Sequence, residues 1–240
     1  MSGHSHWSSI KHQKGTADAK RGKTFSKLSR QIEIAAKEGG KDPEANPKLR
    51  IAVEKARDFN MPKDNIERAI KRGSGELACE KLEPIIIEAL GPANSAIIIE
   101  GITTNKNRSI SEIRQILSSH NGKLAGEGAV KWNFERKGII VIKNNSKNIE
   151  ETELKIIEAG AENIEEVEEN LEVQTKPEEF ESVKKELINM GFEIIYSSLD
   201  FRAKEKIKLE EKEKESCRKL FEALDENEAV LEIYSNVEEI

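Results

Sequence analysis

The residues best suited to chemistry in this chain are cations. Lys11-His12-Gln13-Lys14 is followed by Lys20-Arg21-Gly22-Lys23, then Lys27 and Arg30, with no acidic side chain before Asp18. On an ideal helix of about 100° per residue drawn from Lys20, the stripe Lys20, Lys23, Lys27 and Arg30 falls at about 0°, 300°, 340° and 280°. Phe25, Leu28 and Ile32 fall at about 140°, 80° and 120°, so the charged and apolar faces stand opposite one another. Several cations on one face reach successive phosphates of a nucleic-acid backbone. The pattern therefore predicts nucleic-acid contact by Lys11, His12, Lys14, Lys20, Arg21, Lys23, Lys27 and Arg30, against the plainer reading of a solvated helix face. Arg21, near 100°, leans toward the apolar side and either makes an ion pair within the fold or marks a helix that starts later than drawn. Trp7 precedes the helix and reads as the anchor of an N-terminal arm, with base stacking as its alternative.

Other chemistries find little support. His4, His6 and His12 have no carboxylate or thiolate at ligand spacing, so no metal site is expected. Cys79 and Cys217 make neither a disulfide framework nor a CxxC pair. GxGxxG, P-loop, HExxH and GxSxG patterns are all missing, so neither an enzyme constellation, a cofactor nor a small-molecule substrate is expected. The carboxylates over 150–186 show no local pairing with His or Lys for acid–base work and read as a solvated acidic face. Two other classes stay open: a metal-dependent nuclease using the histidines and scattered carboxylates, and a protein-interaction module working through the acidic region. Asn105-Lys106-Asn107-Arg108 reads as a polar turn ahead of a helix. Asn107 or Ser109 is expected to cap that helix, and Arg108 either reaches phosphate or serves the turn itself.

These residues need elements to hold them. The 240 residues are 36% hydrophobic and 35% charged, and the mean hydropathy is −0.63. The longest apolar runs, 85–87 and 96–99, are far too short to span a membrane. The polar start predicts no secretory signal, and a cytoplasmic, reducing location follows. The net charge of −6 conceals a division. Residues 1–75 carry 17 Lys/Arg against 9 Asp/Glu, a net of +8, and residues 76–240 carry 22 against 36, a net of −14. Such asymmetry assigns different tasks to different parts of the chain.

The basic part reads as three short helices. Phe25, Leu28, Ile32, Ala35 and Ala36 recur at helical spacing over 16–37, and Gly39-Gly40 stops the run. Asn46 before Pro47 is a helix start, followed by the stripe Leu49, Ala52, Val53 and Ala56. Pro62 opens a third helix with Ile66, Ala69 and Ile70, which Gly73 ends. After Gly75 the pattern changes. Strands are expected over 84–90 and 95–103, joined by Gly91-Pro92-Ala93-Asn94, then a helix over 109–119. Alternating Val130, Trp132 and Phe134 predict a strand with one buried face. Next come a strand at 138–142, a helix at 150–159, a hairpin of 164–167 with 171–174, a helix at 177–190 and a strand at 192–197. This βαββαβ order is ferredoxin-like. A last helix, 209–224, and strand, 229–234, are too small to fold alone and are expected to complete the earlier set. Three domains follow: 1–75, basic and helical; 76–137 plus 203–240, a split α/β domain; and 138–202, inserted into it. The alternative is three domains in simple succession.

The chain also carries recognisable runs: Gly-His-Ser-His-Trp at 3–7, Ile10-Lys11-His12, Asp18-Ala19-Lys20-Arg21-Gly22-Lys23 and Gly39-Gly40-Lys41-Asp42-Pro43. Asn46-Pro47-Lys48-Leu49-Arg50, Asn60-Met61-Pro62-Lys63-Asp64-Asn65-Ile66 and Asn105-Lys106-Asn107-Arg108 continue them. With these the sequence resembles the YebC/PmpR family, which includes the mitochondrial translational activator of cytochrome c oxidase. The resemblance is dense over 1–75 and thinner after 138. It implies an α+β multi-domain protein: an N-terminal three-helix domain followed by two ferredoxin-like α/β domains, one inserted in the other. It also implies a cytoplasmic, non-enzymatic protein. Members are described as DNA-binding transcriptional regulators, and others as ribosome-associated factors that help translation through proline-rich stretches. The implied partners are DNA, or ribosomal or messenger RNA and the ribosome. The resemblance supplies no catalytic residues, and the basic positions over 11–30 are the contact candidates.

Overall fold

The computed structural model describes residues 18–78, 80–144, 149–167 and 169–238, with the side chains of 18–20, 149 and 150 left outside the description. The first helix, α1, is Asp18–Gly39. It stops where Gly40 turns into the left-handed region at φ 88°, a conformation that costs glycine little. The second, α2, is Pro47–Asp58, and the Asn46 side chain accepts a hydrogen bond from the Leu49 N–H. Asn46 does more than cap. Its Nδ2 donates to the carbonyls of Ala35 and Gly40, both at 2.8 Å. A Cβ at Gly39 would stand 2.6 Å from the Asn46 side chain, so glycine is required there for the two helices to close on one another. The third helix, α3, is Lys63–Gly73. Leu28, Ile32, Leu49, Val53, Ile66 and Ala69 meet in the core of this unit, with Phe25, Phe59 and Ile70 at its edge.

The expected strands and helices follow. β1 (Glu83–Leu90), β2 (Ala96–Thr103), α4 (Lys106–Ser119) and the two-residue β3 (Lys123–Leu124) come first. β4 (Phe134–Lys143), α5 (Ile149–Glu158), β5 (Asn163–Val167), β6 (Asn170–Thr175), α6 (Phe180–Asn189) and β7 (Ile194–Ala203) form the next group. The chain ends with α7 (Glu211–Asp225) and β8 (Val230–Ser235).

These strands make two four-stranded sheets, β3-β1-β2-β8 and β5-β6-β4-β7, whose pairings are all antiparallel. The second has the ferredoxin-like order. The first takes its fourth strand from the far end of the chain, so the fold is a three-helix unit followed by two α/β units, one inserted in the other. Each sheet buries one face under helices. Ile85, Ile87, Ile97 and Ile99 pack on Ile113 and Leu117 of α4 and on Leu220, Phe221 and Leu224 of α7. Ile140, Ile142, Leu171 and Val173 pack on Phe180, Val183 and Leu187 of α6, and on Ile156 of α5. Gly138 permits this second packing, because a Cβ there would lie 2.3 Å from Thr175 Oγ1 and 2.6 Å from Phe180.

The units meet across the helix-free face of the first sheet. Ile98 and Tyr234 pack against Val130, Phe134 and Phe201. On the same face Glu100 lies directly across from Glu232 in the β2–β8 register. Arg136 of β4, in the second sheet, bonds Glu100 at 2.6 Å, and Lys55 of α2 bonds Glu232 at 2.5 Å. Burial alone would lower the Lys55 pKa, but Glu232 beside it holds the ammonium above its ordinary range.

One expected strand is corrected. Residues around Trp132 form a short helical turn, Lys131–Asn133, and β4 begins at Phe134. The buried Glu88 carboxylate accepts the N–H groups of Gly128, Val130 and Lys131. Those donors are thereby diverted from any strand ladder. Val130 and Phe134 are buried as expected, while Trp132 points to solvent. Among the described residues no helix is long and apolar enough to cross a membrane.

Candidate nucleic-acid interface

The cation stripe of α1 is where the helical period places it, opposite Leu28 and Ile32, but part of it does not face solvent. It lies against the turn that follows α7. Lys23 Nζ is 2.5 Å from Glu226 Oε2. Lys27 Nζ donates to the Asp225 carbonyl at 2.5 Å and stands 3.1 Å from Asp225 Oδ1. Arg30 donates to the Glu228 carbonyl at 2.7 Å through Nη1, and to its carboxylate at 3.3 Å through Nη2. Lys27 is buried, at 8% exposure. The plainer reading of this stripe as a solvated helix face therefore does not hold at Lys27. The physical reason is the C-terminal end of α7, where free carbonyls and acidic side chains present concentrated negative charge to any helix docking there. The exposed Lys23 ammonium is held above its usual pKa, chiefly by its hydrogen bond to Glu226.

Arg108 arrives at the same place from another element. Asn105 caps α4, its side chain accepting from the Arg108 N–H at 3.1 Å. That corrects the expected caps, Asn107 and Ser109: the Ser109 hydroxyl lies 2.7 Å from Thr103 Oγ1. Arg108 Nε donates to Glu112 at 2.8 Å, and the other Glu112 oxygen accepts from Asn227 at 3.2 Å. Hydrogen bonds from Arg108 and then Asn227 hold the Glu112 carboxyl below its ordinary pKa. Thus Lys23, Lys27, Arg30 and Arg108, scattered over two helices, gather around residues 225–228. Arg21 is exposed, not turned toward the core as its wheel position suggested. Trp7, Lys11, His12 and Lys14, and the side chain of Lys20, lie outside the described residues.

Other cations lie outside the stripe. Lys37, Arg57, Arg68 and Lys71 are exposed on the helical unit. Arg68 and Lys71 fall on α3 away from Ile66, Ala69 and Ile70, so the same helical period was available to find them. Chemically, cations so placed are suited to holding anions. Among the described residues no three His, Cys, Asp or Glu side chains are grouped to hold a metal ion.

Comparison with known proteins places this geometry in context. Residues 5–76 match a family model described as the TACO1/YebC protein N-terminal domain, and residues 82–237 one described as the TACO1/YebC second and third domain. A "probable transcriptional regulatory protein" of Petrotoga mobilis is 48% identical over 239 residues, covering 99% of this chain and 95% of its own. Another, from Caldanaerobacter subterraneus, is 45% identical over 239 residues, covering 99% and 98%. The crystal structure of a conserved hypothetical protein from Aquifex aeolicus superposes with a TM-score of 0.87 at 40% identity, covering 98% of this chain and 97% of that one.

Proposed function

Because this chain belongs to the TACO1/YebC family, we propose that it is a nucleic-acid-binding regulator of gene expression that works in the cytoplasm without a catalytic step. The relatives' name points to transcription, and DNA is accordingly the first target to test. The observation that carries the reading is the gathering of Lys23, Lys27 and Arg30 on one acidic turn, to which Arg108 is linked through Glu112 and Asn227. Side chains that hold carboxylates and carbonyls at hydrogen-bond distance are equally fitted to hold phosphate oxygens. The turn at 225–228 then stands where a nucleic-acid backbone would lie, and binding exchanges one anionic partner for another. Lys11, His12, Lys14, Lys20 and Arg21 extend the same basic run toward the N-terminus and belong to the proposed contact set.

The experiment is affinity as a function of salt, for duplex DNA and for single-stranded RNA of matched length. Each phosphate neutralised contributes about −0.9 to the logarithmic slope on duplex DNA and about −0.7 on single strands. The full chain should show a slope of several such contacts, and Lys23→Gln should flatten it by about one. Equal slopes and equal affinities for the two proteins would remove Lys23 from the interface. The nucleic acid that co-purifies from cells decides between DNA and RNA.

A further inference from the structure

Trp132 is 62% exposed, an unusual position for a large apolar ring. The backbone that presents it is pinned on both sides. Upstream, Glu88 is 7% exposed and accepts from Gly128 N at 2.6 Å, Val130 N at 2.8 Å and Lys131 N at 2.9 Å. Downstream, the Asn133 carbonyl accepts from Lys204 N at 2.7 Å. The Asn133 side chain is 3% exposed; it accepts from Glu205 N at 2.8 Å and donates to the Glu205 carbonyl at 2.9 Å. Val130 and Phe134, two residues to either side of the tryptophan, are buried against Ile98, Phe201 and Tyr234. The indole Nε1 donates to the Ala129 carbonyl at 3.0 Å. The ring's one polar group is thus consumed internally, its neighbours are fixed, and only its flat faces remain to meet a partner.

We propose that Trp132 is a stacking platform for an unpaired nucleobase, a contact separate from the cation cluster at 225–228. The proposal rests on the nucleic-acid reading above and deepens it by naming the form of nucleic acid preferred. Any base offers a π-face, and stacking on an aromatic side chain needs no directional hydrogen bond, which suits an indole whose N–H is already engaged. Lys131 precedes the tryptophan in the chain and Lys204 is brought beside Asn133 by its backbone N–H; both are exposed and suit the phosphates near a stacked base. Bases inside a duplex are stacked on one another and closed to this contact, so the platform selects single strands. Because the loop is already ordered, stacking loses little conformational freedom on binding.

The chain has two tryptophans, Trp7 and Trp132, so a Trp7→Phe protein reports on Trp132 alone. It is titrated with a fluorescein-labelled 20-nucleotide oligouridylate and, separately, with a 20-base-pair DNA duplex, recording label anisotropy and indole emission together. With the single strand, emission should be quenched in step with the rise in anisotropy, and with the duplex it should not. Trp132→Ala should weaken single-strand binding about tenfold while leaving duplex binding and Tm unchanged, and Trp132→Phe should restore most of the loss. Binding of the oligouridylate with undisturbed emission, and equal affinity for Trp132→Ala, would overturn the platform and leave the nucleic-acid reading standing. No binding of either probe at low salt would overturn both. A blue shift that grows with protein concentration, without nucleic acid, would mean that a second copy of the chain covers the ring, and the platform would fall.

Discussion

Lys27 and Asp225 stand 198 residues apart in the chain, yet the ammonium of one donates to both the carbonyl and the carboxylate of the other. The pair ties the first helix to the end of the last. Its lysine side chain is 10% exposed and its aspartate 28%, whereas the neighbouring Lys23–Glu226 pair is 48% and 53% exposed. Water and salt screen the second pair far more than the first. Lys27→Gln should therefore destabilise the protein, by about 1–3 kcal/mol in urea unfolding, while Lys23→Gln leaves the midpoint in place. The reverse ranking would mean that α1 does not rest on this turn in solution.

Neutralising the turn tests the exchange of carboxylate for phosphate. Glu226→Gln together with Glu228→Gln keeps the backbone carbonyls that Lys27 and Arg30 use and removes two competing charges. Affinity for nucleic acid, read by anisotropy at one fixed salt concentration, should rise severalfold. A fall, or no change, would place the phosphate contacts elsewhere on the helical unit.

Glu88 gives the Trp132 loop a pH dependence with a definite sign. Burial alone would raise its pKa, but the N–H groups of Val130, Gly128 and Lys131 outweigh burial and hold the carboxyl below its ordinary value of 4.5. Its stabilising contribution is complete above about pH 4.5 and is lost as the pH falls through the lower, folded value. Glu88→Gln should cost about 1.5–3 kcal/mol near neutral pH and remove this part of the acid sensitivity. Hydrogen exchange of the Val130 and Lys131 amides at pH 6 and pH 3.5 is the direct measurement; amides equally protected at both, beyond the intrinsic pH effect, would count against it.

Gly101 marks the place where the end of the chain joins the first sheet. The β2–β8 register shifts at Glu100/Gly101, and a Cβ on Gly101 would meet the Ala229 carbonyl at 2.3 Å. Backbone cannot step aside as a flexible side chain can. Gly101→Ala should lose stability at the upper end of the roughly 1–3 kcal/mol typical of overpacking, with β8 amides losing hydrogen-exchange protection first. Gly22→Ala, with open space around the glycine, serves as the control.

Local signals in the chain located most elements. Asn46-Pro47 opens α2 and Gly39-Gly40 closes α1, because caps and stops act within a few residues. The ferredoxin-like unit was legible because its turn signals and its two periodicities alternate cleanly. What stayed hidden depends on partners remote in sequence. The wheel put Lys23, Lys27 and Arg30 opposite the core correctly, but a wheel cannot say whether solvent or another unit occupies that side. Alternation at Val130, Trp132 and Phe134 resembled a strand because Glu88, more than forty residues upstream, is the group that claims the N–H donors. Arg108 was set in a turn ahead of a helix but lies in the first turn of α4 itself, and its proximity to the 225–228 turn follows only from the return of α7 and β8 to the first sheet.

That return has a consequence for how the three units depend on one another. Glu100 and Glu232 face each other across β2 and β8, and like charges so placed repel. Each receives its cation from a different neighbour, Arg136 from β4 of the second sheet and Lys55 from α2 of the helical unit. The first sheet answers Glu100 in part through the Tyr234 hydroxyl at 3.0 Å, and the two neighbours bring the positive charge that quiets the rest of the quarrel. Each unit acts as an inspector of the others' presence, and a chain interrupted during synthesis, or clipped between units, lacks one of the two cations that offset this pair.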